Sequence, residues 1–494
     1  MSDPYLSIIV FLPLVGAIVV ALLPKADPRR IKLTSAAFTL ATFALSLAIF
    51  AMFDRSIPGA QFVEKTSWIP PINAQYFLGV DGLSLPLLIL TTLLGFIAVL
   101  VSWKINLRAR EYFVALLFLE TGILGVFTSL DLLLFFLFWE VEIIPMYLLI
   151  SIWGTGRKEY SAIKFVIFTL IGSAMMLAGI LILYFHAGTF DMTELARLGL
   201  EPQLGGLLAA AIFLLLFIGY AVKLPLFPLH TWLPDAHTDA PTAVSVILAG
   251  VLIKMGGYGM IRVCVSIFPE AAQRFAPPIL ALALVSILYG AAVTLRQRDL
   301  KRLIAYSSIS HMGYVVLGIF AFSQVSMTGA TLQMFSHGLI TGLLFALVGL
   351  VYDKSHVRDI LRLGGLARQM PIIVAVFSVA GLASLGLPGT SGFAAEFLVF
   401  LGSFSSSLIS GIQLYTIFGV AGVVLTAGYI LWMLQRVFYG PPKAEYDGVP
   451  DATKLESFYI FVLVALIMLV GIYPAVLTNI IKVGVAPILA PFGL

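Results

Sequence analysis

The feature that most constrains this chain is a series of apolar segments, each about twenty residues long, that recurs from one end to the other. A helix of that length crosses the roughly 30 Å hydrocarbon core of a bilayer. We expect fourteen transmembrane helices, at about 5–23, 31–53, 81–103, 111–129, 131–153, 160–187, 207–233, 241–268, 275–296, 300–321, 326–352, 371–402 (interrupted), 411–438 and 456–482. The sequence therefore predicts an all-α polytopic membrane protein.

Composition excludes a soluble protein and several classes of site. The 494 residues are 60% hydrophobic and 11% charged, whereas soluble domains carry about 25% charged residues. No basic cluster is interleaved with aromatic residues, so we expect no nucleic-acid partner. The single cysteine, Cys264, argues against a disulfide or an iron–sulfur cluster held by this chain alone. No glycine-rich phosphate loop or dinucleotide motif occurs, and we expect no metal, cofactor or redox centre in the chain.

Lysines and arginines are distributed unevenly between the loops. Of the 29, twenty lie in odd-numbered loops and six lie in or near even-numbered loops and the C-terminus. Loops rich in these residues face the cytoplasm. Because an even number of spans puts both termini on one side, we expect both termini to face away from the cytoplasm.

Two of the predicted spans are interrupted by proline and glycine, the seventh at Lys223–Pro225 and the twelfth at Gly386–Gly392. Proline removes a backbone donor and clashes with the preceding turn, so neither helix runs unbroken. The breaks are five spans apart, which predicts two five-helix repeats of opposite orientation in the membrane. We predict one membrane domain, 1–494, with three N-terminal helices in 5–110, a first inverted repeat in 111–268, a second in 275–438 and a last helix at 456–482.

A lysine lies at the first break, in the stretch GYAVKLPLFPLHTWLPDAH from Gly219 to His237. Near the bilayer midplane a lysine costs at least about 2.5 to 3.5 kcal/mol on insertion scales. Broken helices at this depth line protein or a water-filled cavity, so Lys223 is a predicted conduction residue. His230 would line the same break, although an ordinary loop histidine explains it equally well.

Glu140, in the fifth span, is the predicted partner of Lys223. A buried pair that separates by a few ångströms changes the proton affinity of both groups, which suits proton transfer. The alternative is a neutral acid with a structural hydrogen bond. Glu142, two residues further on, would face another side of a regular helix and is the weaker candidate.

Four further polar residues lie inside predicted spans: Lys254, His311, His337 and Glu396. We predict a proton relay, because intramembrane ionisable residues usually mark ion pathways and serines flank both histidines. Structural alternatives stay open. Lys254 would cap a neighbouring helix, the histidines would be packing residues or a haem pair, and Glu396 would stabilise the start of a half-helix.

Together these motifs resemble the antiporter-like subunits of respiratory complex I, whose relatives include Mrp-type sodium/proton antiporters. The resemblance rests on AVKLPLFPLHTWLPDAH, the FWE of the fifth span, LIKMGGYGMIR, LKRLIAYSSISHMGYV and GTSGFAAEFLVF. It implies that Glu140 pairs with Lys223, that Lys254 is the central relay and that Glu396 ends the path. A glutamate at position 396, and a chain that stops at Leu494 soon after the last span, are typical of M-type chains.

The resemblance also implies a function. It suggests a proton-translocating subunit of NADH-quinone oxidoreductase in the bacterial inner membrane, with both termini periplasmic. NADH, FMN, iron–sulfur clusters and quinone would be held by partner subunits, and L-type and N-type chains would be the membrane neighbours. An Mrp-type or stand-alone sodium/proton antiporter would use the same residues and stays open. A passive scaffold is disfavoured, because apolar residues in place of the buried charges would stabilise it.

Overall fold

The computed structural model describes residues 3–493; Met1, Ser2 and Leu494, at the limits of the predicted domain, lie outside the described residues. Its first half contains α1 (Tyr5–Leu22), α2 (Pro28–Met52), β1 (Gln61–Ile69), β2 (Ala74–Val80), α3 (Ser84–Val101), α4 (Ala109–Thr128), α5 (Leu132–Val141), α6 (Ile143–Trp153), α7 (Lys158–Ala187), α8 (Met192–Leu198), α9 (Glu201–Leu204), α10 (Gly206–Lys223), α11 (Trp232–Asp239), α12 (Thr242–Ile247) and α13 (Ile253–Gly259).

The second half contains α14 (Pro269–Leu295), α15 (Leu300–Phe320), α16 (Gln324–Ser355), α17 (Pro371–Ser384), α18 (Ser391–Phe404), α19 (Ile412–Val437), α20 (Lys454–Ile472) and α21 (Ala475–Leu489). Two π-helical segments, Leu248–Leu252 and Met260–Val265, adjoin α13. Short 3-10 turns occur at Pro70–Ile72, Ser102–Lys104, Leu366–Arg368, Ala444–Tyr446 and Ala490–Phe492.

The predicted membrane architecture is confirmed. Within residues 3–493, fourteen helices are long and apolar enough to cross a membrane. The spans Thr242–Val265 and Gln324–Ser355 are wholly enclosed by other helices, and Leu300–Phe320 is nearly so. The helices at the periphery expose large apolar side chains, as expected where lipid surrounds a protein. The enclosed helices carry Lys254, His311 and His337.

Two short β-bridges of the same geometry are consistent with the inverted repeats. Asp131 bridges Asp191 in the first half, and Asp299 bridges Asp359 in the second half. Each bridge is flanked by two backbone hydrogen bonds of 2.7–3.0 Å. Asp131 precedes the fifth span and Asp299 precedes the tenth, so equivalent contacts recur five spans apart.

The last predicted span, 456–482, extends too far, because α20 ends at Ile472 and α21 begins within the predicted range. Helix α21 is one of those fourteen helices by length and composition, but its contacts place it on one face of the bundle. Its Gly484 packs against the backbone of Gly82, and the ring of Phe492 that follows it stacks on Phe322 at 4.6 Å. Gly82 precedes the third span and Phe322 follows the tenth, which are ends on one side of the membrane. Helix α21 therefore lies along that face, while the broken pair α17 and α18 supplies the twelfth span.

A β-hairpin is the part of the fold that the all-α prediction misses. Strands β1 and β2 pair in an antiparallel sheet between the second and third spans. Glu64 of β1 accepts hydrogen bonds from the backbone of Leu6 (2.6 Å) and Ser7 (3.2 Å) at the start of α1. Lys65 pairs with Asp191 at 2.7 Å. The hairpin therefore ties the N-terminal helices to the first repeat.

Two further spans depart from regular α-helical geometry. The fifth span is interrupted at Glu142, between α5 and α6, where Pro145 lacks the N–H that would bond the carbonyl of Val141. The eighth span widens into π turns at Leu248–Leu252 and Met260–Val265, on either side of Lys254. π turns are uncommon and occur frequently at functional sites.

Candidate functional site

The first break lies where α10 ends, at Lys223, whose side chain is 1% exposed. The backbone groups freed by the break find local partners. The N–H of Leu226 donates to the carbonyl of Ala221 at 3.0 Å. The indole of Trp232 donates to the carbonyl of Val222 at 2.9 Å. The break is thus a defined turn that positions the Lys223 side chain.

The carboxylate in contact with Lys223 is Glu142, the weaker of the two candidates in the sequence, and the pairing of Glu140 with Lys223 stays a prediction. Nζ of Lys223 forms an ion pair with Oε1 of Glu142, and both side chains are almost fully buried. Glu142 is buried on the same face as Phe138 and Met146, four residues to either side of it, and this face meets α10. Glu140 still lies within electrostatic range of Lys223, and its Oε1 has no hydrogen-bond partner among the described residues. Its place in a relay stays a prediction.

Aromatic rings surround the Lys223 ammonium. Nζ lies 5.4 Å from the ring centre of Trp139 and 5.7 Å from that of Phe165. Within residues 3–493, neither Lys223 Nζ nor the Glu142 oxygens have another hydrogen-bond partner. The buried Lys223 and Glu142 charges are therefore stabilised mainly by each other. A small separation would leave both charges without a close counter-charge.

Lys254 is fully buried on α13, in the centre of the eighth span. Its Nζ donates to the carbonyl of Ala249, in the preceding π segment, and lies 2.8 Å from Nδ1 of His337. The carbonyl belongs to the same span as the lysine, so Lys254 does not cap the C-terminus of a neighbouring helix. Its second contact is the imidazole ring of His337, on another enclosed helix.

His337, His311 and Glu396 continue the line from Lys254. The ring centres of His337 and His311 are 5.4 Å apart. Nδ1 of His311 lies 3.1 Å from Oε1 of Glu396, and its Nε2 lies 3.2 Å from the hydroxyl of Ser384. The amide of Gln333 donates to the same Glu396 oxygen at 3.3 Å. The structure thus brings together four predicted residues that the sequence places on four different helices.

A cavity of about 10 Å³ lies among these side chains, lined by His311, His337, Ser384 and Glu396 together with Gln333, Ile340, Ala383 and Gly392. A space of roughly this size holds one water molecule when polar groups surround it. It lies where the two histidines and Glu396 meet, so one water can complete the line.

The second break shapes the surroundings of Glu396. Gly386 and Gly389 have φ of +83° and +93°, a region that glycine adopts readily. A Cβ at Gly386 would lie 3.2 Å from Oε2 of Glu396, whereas one at Gly389 would meet nothing within 4 Å. The first turn of α18 contains no acid, so Glu396 lies beyond the turn that a helix dipole stabilises. This position argues against a purely capping role for Glu396.

His230 is predicted in the relay but lies apart from the Lys254–Glu396 line. It lies in the first break, is 3% exposed, and stacks on Phe227 (5.6 Å) and against Tyr289 (5.3 Å). Its Nδ1 has no hydrogen-bond partner in the described part of the chain. The structure therefore groups His230 with aromatic residues, and a role in proton transfer stays a prediction.

His237 is a residue that the sequence analysis did not include among the candidate relay residues. The imidazole is fully buried and stacks on Phe345 at 4.6 Å, and neither ring nitrogen has a partner within residues 3–493. Lys301 and Lys254 both lie within electrostatic range of it. The signal available was its position in the polar run PDAHTDAP after the first break.

Lys301 connects His237 with a larger cavity. Nζ of Lys301 donates to the carbonyl of Ala240 at 2.6 Å. Lys301 also lines a cavity of about 440 Å³, with Lys104, Asp353 and Glu456 among the other lining residues. Lys104 and Glu456 form an ion pair of 3.0 Å there. The cavity lies on the side of the odd-numbered loops and is roomy and polar enough to hold water.

Two other ionisable residues inside the spans, Lys164 and Glu120, lie outside the contacts described so far. Lys164 pairs with Asp235 at 2.7 Å, and Arg302 approaches the same carboxylate at 3.4 Å. The cluster has two cations and one acid, so it keeps one positive charge in excess at the edge of the first break. Glu120 is 2% exposed beside Gly95, and its Oε1 has no partner among the described residues.

No group of three or more His, Cys, Asp or Glu side chains in residues 3–493 is arranged to hold a metal ion. Cys264 is buried and free. The titratable residues described above can hold and pass protons.

Comparison with known proteins identifies similar chains. A family model described as "NADH:quinone oxidoreductase/Mrp antiporter, TM" matches residues 129–426, which include both breaks. A protein of Synechococcus elongatus named NAD(P)H-quinone oxidoreductase chain 4 is 46% identical over 97% of this chain and 90% of its own length. NADH-quinone oxidoreductase subunit M of Rhodobacter capsulatus is 43% identical over 97% of this chain and 95% of its own.

Solved structures have the same fold. A chain in respiratory complex I from Thermus thermophilus with bound NADH superposes with a TM-score of 0.87 at 30% identity, over 98% of this chain and 99% of that one. A chain of the Mrp complex from Dietzia sp. gives a TM-score of 0.84 at 22% identity, over 97% of this chain and 52% of that one. The second likeness is one of fold alone.

Proposed function

The chain belongs to the family of NADH:quinone oxidoreductase and Mrp antiporter membrane subunits, and from this premise we propose that it is the proton-translocating M-type subunit of an NADH-quinone oxidoreductase. One observation carries the proposal: the buried contacts from Lys254 through His337 and His311 to Glu396. A protein that served only as a scaffold would gain stability by replacing these groups with apolar residues.

The driving event is a change in the Lys223–Glu142 pair. A movement of α5, α6 or α10 that separates these charges leaves each uncompensated, so Lys223 releases its proton toward Lys254. Moving one proton against 100 mV costs about 2.3 kcal/mol. One unit of pKa corresponds to about 1.36 kcal/mol, so moderate changes in proton affinity are sufficient. Glu140, within electrostatic range of Lys223, is the second acid that senses this change.

The remaining residues pass the proton on. Lys254 transfers it to His337, His337 transfers it to His311 directly or through one water, and Glu396 receives it beside the second break. His237, Lys301 and the 440 Å³ cavity supply protons from the side of the odd-numbered loops. His230 lies in the first break and serves the Lys223 end.

The orientation follows from the distribution of lysine and arginine. The odd-numbered loops face the cytoplasm of a bacterial cell, and both termini face the periplasm. L-type and N-type subunits are the membrane neighbours. NADH, FMN, iron–sulfur clusters and quinone belong to partner subunits, which supply the redox chemistry. Reporter fusions test the orientation: a fusion at the C-terminus should report the periplasm, and one in the loop 353–369 the cytoplasm. The reverse result at both positions would contradict it.

Copurification and pumping test the function. The tagged chain should copurify from membranes with flavin and iron–sulfur subunits. Sealed vesicles from those membranes should acidify on one side when NADH is oxidised by quinone. His311→Ala should reduce proton movement per NADH oxidised while NADH oxidation by the peripheral subunits continues. An Mrp-type antiporter would instead copurify without redox partners and exchange sodium for protons in vesicles without NADH.

A further inference from the structure

A basic cavity lies where α1 ends and α4 begins, on the side of the odd-numbered loops. Its volume is about 410 Å³, and its polar lining consists of Lys25, Asn106, Arg108, Arg110 and Glu111. Lys25 forms an ion pair with Glu111 at 2.8 Å. Three cations face one acid, so the cavity keeps an excess of two positive charges.

The lining residues are held by contacts outside the cavity. Asn106 accepts a hydrogen bond from Nζ of the buried Lys32 at 2.7 Å. Arg110 donates to the carbonyl of Leu23, just after the end of α1, at 3.5 Å. Arg108 adopts a left-handed backbone conformation with φ of 46° and directly precedes α4. The cations therefore stand on a shaped surface formed by two loops.

An apolar groove continues from the basic cavity into the membrane. It has a volume of about 350 Å³ and is lined by Ala21, Val114, Ala115, Phe118, Ile144, Pro145 and Leu148. Arg110 and Glu111 line both the cavity and the groove. The two spaces thus form one amphipathic site along the seam of α1, α4 and α6.

The depth of the groove matches one leaflet. From Ala109, at the start of α4, to Phe118 the helix rises about 14 Å, close to half of the roughly 30 Å hydrocarbon core. The basic cavity lies at the level where lipid headgroups begin. At its deep end the groove reaches Ile144, two residues after Glu142.

We propose that the cavity and groove together bind one anionic phospholipid from that leaflet. Its phosphate lies among Lys25, Arg108 and Arg110, and one acyl chain lies in the groove. Basic pockets beside transmembrane helices attract anionic headgroups, at about 1 kcal/mol per cation near the surface. Free phosphate would satisfy the cavity but leave the groove unfilled. A zwitterionic lipid carries its own cation, which the excess positive charge repels.

The site is separate from the proton line and does not rest on the proposed function. The lipid would lie against α6, which begins directly after Glu142. Binding of the lipid would therefore affect the position of α6, and with it the helix interruption at the Lys223–Glu142 pair.

Lipid retention in the purified, assembled complex tests the proposal. The complex is delipidated in mild detergent and titrated with mixed micelles of phosphatidylglycerol or of phosphatidylcholine, and bound lipid is counted by native mass spectrometry. The wild type should retain phosphatidylglycerol preferentially. The double variant Arg108→Gly with Arg110→Gln should bind it about 30-fold more weakly, as the loss of two cations at about 1 kcal/mol each implies. Glycine suits the positive φ at position 108, so the loop should keep its shape.

Matched variants make the test decisive. Arg29→Gln with Arg30→Gln removes two nearby cations outside the cavity and should leave binding unchanged. Leu148→Trp fills the groove without changing charge and should also release the lipid. Equal binding of phosphatidylcholine, or equal loss in the Arg29 and Arg30 variant, would overturn the proposal. Full competition by millimolar inorganic phosphate would assign the cavity to a free anion instead. Unchanged binding in Leu148→Trp would mean that a neighbouring subunit, not lipid, covers the groove.

Discussion

The two breaks are built from similar turns but hold their charges in different ways. At the first break, Lys223 contacts one acid, Glu142, between aromatic rings, and no further hydrogen-bond partner lies within residues 3–493. At the second break, Glu396 is shared between His311 and Gln333, beside a cavity that fits one water. The first site is a closed pair and the second is an open network.

This difference separates two tasks. A closed pair changes greatly when its members move apart, so the first site suits the conversion of movement into proton affinity. A network with several hydrogen-bonding partners can accommodate a proton on more than one group, so the second site suits proton transfer. The predictions below test this division, from the largest expected effect to the smallest.

Removing the lysine of the closed pair should have the largest effect. Lys223→Met leaves Glu142 buried without its partner, and breaking a buried pair in this way costs about 3–5 kcal/mol. Little complex should assemble, as seen on native gels, and the assembled fraction should not pump. Adding Glu142→Gln removes the stranded charge and should restore assembly but not pumping. If the double variant pumps, the pair is structural only.

A double-mutant cycle should identify the acid that couples to Lys223. Thermal stability of the complex is measured for Glu142→Gln, Glu140→Gln, Lys223→Met and the two double variants. Residues in contact couple by about 0.5–3 kcal/mol, so the coupling of Lys223 to Glu142 should exceed that to Glu140. The reverse order would show that Glu140 is the partner in the working enzyme.

At the open network, the ability to exchange a proton should matter more than charge. Glu396→Gln keeps shape and hydrogen bonds but cannot release a proton, and it should slow pumping about tenfold, or about 1.4 kcal/mol. Glu396→Lys should keep part of the activity because lysine can titrate. Proton uptake in sealed vesicles, normalised to quinone reduction, measures both. Proton pumping at the wild-type rate by Glu396→Gln would show that the proton leaves the chain through another residue.

Two glycines of the second break allow backbone strain to be distinguished from a steric contact with Glu396. Gly386→Ala and Gly389→Ala both place a side chain at positive φ, at a cost of about 1 kcal/mol each. Only the alanine at position 386 approaches Glu396, at 3.2 Å from Oε2. Both variants should therefore lose similar thermal stability, while only Gly386→Ala should slow pumping. Equal slowing would assign the effect to strain in the turn.

The smallest effect concerns the hairpin on the side of the even-numbered loops, at the first repeat. Burial alone would raise the pKa of Asp191, but hydrogen bonds from Lys65, Thr193 and the backbone of Glu194 lower it below its ordinary value of 3.8. A lowered pKa adds stability above the unfolded pKa of about 3.9, and this is lost only as pH falls through the folded pKa. Because Lys65 is 44% exposed, Asp191→Asn should cost about 0.5 kcal/mol.

That cost should be the same at pH 5 and pH 8, as measured by thermal unfolding of the complex. Lys65→Met is the matched change on the other side of the pair. A loss that disappears at pH 5 would show that the pKa of Asp191 is raised, not lowered.

Much of the architecture could be predicted because membrane insertion imposes long apolar helices and makes internal charges costly. The two proline-glycine breaks, and the grouping of Lys254, His311, His337 and Glu396, follow from that cost. The partner of Lys223 could not be predicted in the same way. Glu140 and Glu142 point about 200° apart on a helix, and the sequence does not show which of these two faces meets α10.

Other details depend on contacts that no local pattern encodes. His237 reads as a loop residue in sequence, and only the packing of α11 against enclosed helices buries it. Helix α21 is as apolar as a span, and its path along one face is set by the contact between Gly484 and Gly82. The break that precedes it, at Pro474, was visible in the sequence but fell inside a continuous hydrophobic run.

The π segments beside α13 constrain how the gene for this chain can change in length. A π turn contains one residue more than an α turn, so deleting one residue from Leu248–Leu252 would convert it to a regular helix. The turns on either side would keep their relative orientation, because a π turn accommodates its extra residue locally. The carbonyl of Ala249 would then accept the backbone N–H four residues further on, as in a regular α-helix, and this bond would compete with its contact to Nζ of Lys254. Single-residue deletions should therefore be absent from this segment in homologues that keep the lysine, even where the neighbouring loops vary in length.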